Sequence, residues 1–102
     1  MADNTRQLYI GGQWVGATSG RTFDVVNPAT REPIASVADG GPDEARAAVD
    51  AAATAFTTWS KLPGIERGRV LGKTYQLMMA RCDDIARLVT QENGKPFEEA
   101  RK

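Results

Sequence analysis

Acid–base and nucleophilic chemistry needs a nucleophile, a proton carrier and a group that orients them. The side chains here that invite such roles are Cys82, the carboxylate pairs Asp83–Asp84 and Glu98–Glu99, Glu92 and Lys95. The chain contains no histidine, so Ser-His-Asp and Cys-His catalysis within it is excluded. His-containing zinc sites fall with it, and one cysteine cannot assemble a thiolate metal site. Cys82 recurs at helical spacing with Met78, Ile85 and Val89. On such a stripe a free cysteine behaves as a small hydrophobe, so packing is its expected role. Neighbouring residues on a helix point roughly 100° apart, so neither Asp83–Asp84 nor Glu98–Glu99 makes a shared acid–base site. Lys95 is expected in solvent near a helix C-terminus. Trp14, Trp59 and Tyr75 are expected to pack in a core or interface, not to stack a ligand. No Gly-x-Gly-x-x-Gly or Walker A sequence is present to cradle a phosphate. The chain holds no self-sufficient catalytic constellation.

Bulk properties narrow the class further. At 102 residues the chain has room for at most one compact domain. Hydrophobic residues at 41% and charged residues at 25% suit a globular segment and argue against disorder. Thirteen basic and 13 acidic residues cancel, which leaves no excess charge to track a nucleic-acid backbone. No apolar run approaches the roughly 20 residues of a membrane span. The first ten residues lack the apolar stretch of a signal peptide, and a single cysteine fits the reducing cytoplasm.

The elements that would position these residues are legible by pattern. Residues 1–6 are polar and expected to fray. Leu8–Ile10 and Gln13–Val15 read as a hairpin about Gly11-Gly12. Arg21–Val26 and Pro33–Ala38 read as further strands, separated by a turn at Asn27-Pro28. The first 40 residues are thus expected to form small antiparallel β structure. Pro42 suits the first position of a helix running to Trp59, with Asp43 and Glu44 opposing its positive end. Its stripe of Ala45, Val49, Ala52, Ala53 and Phe56 invites close packing. After a break at residues 61–64, a second helix is expected from Ile65 to Asn93. Asn93-Gly94 then permits the left-handed turn that ends a helix, and Pro96 cannot continue one. Residues 97–102 favour helix again, and the lack of a cap there points to a chain continuing in a parent protein.

Several of these segments together resemble the aldehyde dehydrogenases. Tyr9-Ile10-Gly11-Gly12-Gln13-Trp14-Val15 resembles the family's opening hairpin. Phe23-Asp24-Val25-Val26-Asn27-Pro28-Ala29-Thr30 resembles its strand into Asn-Pro-x-Thr-Gly, except that Arg31 stands where glycine is usual. The alanine-rich run from Pro42 to Trp59, the Ile65-Glu66-Arg67 start and the Glu92-Asn93-Gly94-Lys95-Pro96 stop follow in the family's order. Met78-Met79 and Asp83-Asp84 resemble the succinate-semialdehyde branch most.

The resemblance implies an α/β fold and a parent that oxidises an aldehyde to an acid with NAD or NADP. It implies that the catalytic cysteine, the water-activating glutamate, the cofactor-binding sequence and the oligomerisation strand lie beyond Lys102. It therefore assigns no catalytic or cofactor-binding residue here. It implies one metal position, a monovalent cation (Na⁺ or K⁺) held by the carbonyls of Val25 and Val26 and by Glu92, where aspartate is commoner. Oxygen donors of this kind suit a hard cation. The competing reading is a non-catalytic helical interaction module, and betaine aldehyde is an alternative substrate. The parent is expected to be a cytoplasmic homo-oligomer acting on a small aldehyde.

Overall fold

A computed structural model describes residues 5–102. They divide into two compact units, one comprising the residues up to Val26 with Pro33–Ser60, the other Asn27–Glu32 with Lys61–Lys102. The division does not follow the boundary between strands and helices, because the first helix belongs with the strands.

The first unit contains five strands and one helix: β1 Thr5–Arg6, β2 Leu8–Ile10, β3 Gln13–Val15, β4 Thr22–Val26, β5 Pro33–Ala38 and α1 Pro42–Trp59. β2 and β3 form the expected hairpin, with Leu8 opposite Val15 and Tyr9 opposite Trp14. Gly11 and Gly12 have φ of 61° and 81°, the left-handed pair that a two-residue turn requires. The Tyr9 and Trp14 rings meet across the strands at 4.9 Å, tilted by 51°.

The second sheet has the order β1-β5-β4. β4 and β5 are antiparallel, as expected, but β1 lies parallel to β5 with Thr5 opposite Ser36. The expected fraying at 1–6 therefore does not hold for Thr5 and Arg6, and its remainder falls on residues 1–4, outside the described residues. A two-residue strand has no periodicity to read; only its partner creates it. Arg21, expected in the strand, instead accepts a hydrogen bond at its carbonyl from Asp39 N–H at 2.9 Å, closing the open end of the ladder.

α1 starts at Pro42 and ends at Trp59, as its sequence signals. Its expected contact stripe is not the face used within this unit. Ala45, Val49, Ala52, Ala53 and Phe56 are exposed, whereas Glu44, Ala51 and Trp59 are half-buried. A Cβ placed on Gly11 would lie 3.8 Å from the Ala51 Cβ, so the hairpin turn rests on this second face.

The second unit contains α2 Gly64–Ala80, α3 Cys82–Asn93 and α4 Phe97–Ala100. The single helix expected over 65–93 is broken at Arg81, whose φ of −110° and ψ of 16° leave the helical region. No proline or glycine stands there. Asp83 and Asp84 fall in the first turn of the new helix, where carboxylates favour the dipole. α3 ends as the sequence requires, with Gly94 left-handed at φ 86° and its N–H donating to the Thr90 carbonyl at 2.9 Å.

Each helix opens with an acid paired to an arginine three residues on: Asp43–Arg46, Glu66–Arg69, Asp84–Arg87 and Glu98–Arg101. All are solvent-exposed, so each contributes only about 0.2–0.5 kcal/mol. Among the described residues only Ala38 and Ala86 are buried hydrophobics. Large apolar side chains including Val49, Phe56, Ile65, Leu71, Tyr75 and Leu88 are at least 60% exposed, so neither unit encloses a core of its own.

Candidate functional site

The two segments that carry the family resemblance most strongly meet in the second unit. The Asn27-Pro28 turn is built from its own polar atoms. The Asn27 Oδ1 accepts the Ala29 N–H at 2.9 Å, and the Asn27 carbonyl accepts the Arg31 N–H at 2.7 Å. The turn closes with the Asn27 N–H donating to the Glu32 carbonyl at 2.9 Å. Arg31 has φ of 64°, the left-handed conformation that glycine adopts without penalty. Pro28 reaches the helix stop: a Cβ on Gly94 would sit 3.2 Å from the Pro28 Cγ. Glycine at 94 therefore serves both the left-handed φ and the close approach of the turn.

Glu44 is the most strongly perturbed acid. Its Oε2 accepts the Gly41 N–H at 2.7 Å and its Oε1 accepts the Thr18 N–H at 2.5 Å. Hydrogen bonds from the Thr18 hydroxyl, then the Thr18 and Gly41 N–H groups, lower its pKa from 4.5 to about 2. It closes the start of α1 and ties the 16–20 loop to it. Sequence reading gave Glu44 only a dipole role; its place three residues after Gly41 was the signal for more.

The start of α1 is also where a dinucleotide phosphate would be sought, at a glycine-rich strand-to-helix turn. The residues present do not fit one. Pro42 has no N–H to offer, Gly41 N–H is already engaged, and an ionised Glu44 faces the same donors. No cofactor-binding role is assigned to this turn.

Cys82 does not sit on a continuous apolar stripe, because the helix break places it first in α3. It is half-buried, and its Sγ lies 3.6 Å from the Arg101 carbonyl as a weak donor. Arg101 Nε donates to Asp83 Oδ1 at 2.8 Å, and that charge, followed by Glu98, raises the arginine pKa. Arg87 and Arg101 each stand over the Phe97 ring, at 5.8 and 5.9 Å. The group fastens α4 to α3.

The remaining expected site residues are divided between the two units. Val25 and Val26 end β4 at a bulge, where the pairing steps from Val25–Ala35 to Val26–Pro33. They belong to the first unit, whereas Glu92, exposed in the last turn of α3, belongs to the second. Among the described residues no group of three or more His, Cys, Asp or Glu side chains is arranged to hold a metal ion. Trp14 and Trp59 fall in the first unit and Tyr75 in the second; Trp14 stacks on Tyr9 and is 66% exposed. Lys95 is exposed, as expected. No helix is long and apolar enough to cross a membrane among the described residues.

The described residues form a mixed α/β segment of small sheets followed by helices. The sequence model of the aldehyde dehydrogenase family matches residues 14–102, and the chain belongs to that family. It is 45% identical over 94% of its length to the NADP-dependent succinate-semialdehyde dehydrogenase GabD of Escherichia coli K12. It is 49% identical, again over 94%, to malonate-semialdehyde dehydrogenase 2 of Geobacillus kaustophilus. It spans only 20% of the length of either relative. Its fold matches the crystal structure of an E. coli NADP-dependent enzyme with a TM-score of 0.92 and 44% identity, covering 95% of this chain and 20% of that one. It also matches PnpE, solved with nicotinamide adenine dinucleotide, at a TM-score of 0.89 and 36% identity, covering 94% and 20%.

Proposed function

We propose that this sequence is the N-terminal portion of an NAD(P)-dependent aldehyde dehydrogenase that oxidises a short aldehyde carrying a carboxylate, with succinate semialdehyde as its substrate. The observation that carries the reading is the similarity, over 94% of the chain, to enzymes that act on semialdehydes of this type. The reaction converts the aldehyde and water to the carboxylate, with a hydride passing to the nicotinamide and two protons released. The part played by this chain is architectural. Its hairpin, the Asn27-Pro28 turn and the three longer helices supply a framework, and the groups that perform the reaction lie elsewhere in the longer protein. That protein is a cytoplasmic homo-oligomer that engages neither nucleic acid nor membrane.

The test is the ratio of kcat/KM for succinate semialdehyde to that for butanal, an uncharged aldehyde of equal length. A site built to pair the carboxylate favours the semialdehyde by about 10- to 100-fold, since a charge-assisted hydrogen bond is worth about 1.5–3 kcal/mol. Equal ratios would exclude the semialdehyde assignment while leaving aldehyde oxidation intact. Malonate and glutarate semialdehydes in the same series fix the chain length.

A second reading, a non-catalytic interaction module, draws on the exposed apolar side chains of α1 and α2. It requires the sequence to function without further domains, and a protein of relatives' length with dehydrogenase activity would exclude it.

A further inference from the structure

We draw no further inference here: the strongest candidate, the mixed-charge cleft where Cys82 and Asp83 of α3 meet Arg101 beyond α4, carries nothing because its carboxylates and guanidinium groups already pair with one another and the lone cysteine has no second observation pointing to a ligand.

Discussion

Replacing Gly94 with alanine tests whether the helix stop is held by conformation and by contact together. At φ 86° an L-residue pays about 1–2 kcal/mol that glycine does not. Alanine recovers about 0.4–1 kcal/mol through a less flexible unfolded chain. The new Cβ meets the Pro28 Cγ at 3.2 Å, so the turn must give by a few tenths of an ångström. The net expectation is a local loss of up to about 2 kcal/mol once the contact is added. It appears as amide hydrogen exchange faster by up to about 30-fold in the last turn of α3, where Gly94 N–H meets the Thr90 carbonyl, with α1 unaffected. Gly94→Asn separates the causes, because asparagine tolerates the left-handed region but carries the same Cβ. If conformation dominates, asparagine exchanges nearer the native rate; if contact dominates, the two variants match. Gly68→Ala is the control of opposite sign. Its Cβ would meet nothing within 4 Å inside α2, so it slows local exchange by up to about 1 kcal/mol. Unchanged or slower exchange in Gly94→Ala would refute the account of the stop.

Four further outcomes are expected. Arg31→Gly relieves the left-handed strain at φ 64° and raises the urea midpoint, the net gain being below about 1 kcal/mol once glycine's flexibility is counted; a lowered midpoint would contradict it. Glu44 has a folded-state pKa below its ordinary 4.5, so its contribution is present above that value and drains away as the pH falls towards about 2. Glu44→Gln should flatten the pH dependence of unfolding in that window, and a curve parallel to the native one would remove the proposed role of the carboxylate. A double-mutant cycle on Arg101 and Asp83 should return little or no coupling, because side-chain exposures of 45% and 55% leave the pair in water, and a strong coupling would contradict this. The 102-residue chain alone should self-associate or unfold without a cooperative transition, since Ala38 and Ala86 are its only buried hydrophobics among the described residues; a stable monomer in sedimentation and a sharp melt would contradict that.

Local rules made much of the fold readable. The Gly11-Gly12 hairpin, Pro42 at the first turn of α1 and the Asn93-Gly94 stop depend on the conformations of one or two residues, which residue type reveals directly. The break at Arg81 was not readable, because no proline or glycine stands at that position to mark it. β1 was equally hidden, since Thr5 and Arg6 are a strand only beside Ser36 and Val37. The exposed alanine stripe of α1 shows the same limit from the other side. Periodicity identifies an apolar face but not the partner that covers it. The junction of Pro28 with Gly94 needed the structure, although both residues stood out in sequence. The surroundings of Cys82 were misjudged, because the expected unbroken helix would have placed it on one continuous stripe, whereas it opens α3.

The most direct test sets the 102-residue chain beside the natively expressed protein that carries this sequence and measures semialdehyde-dependent reduction of NAD⁺ and NADP⁺ by each. The account predicts no turnover by the chain alone and NAD(P)H formation with succinate semialdehyde by a protein about five times as long. Turnover by the isolated chain, or a protein of that length that leaves every semialdehyde unoxidised, would contradict it.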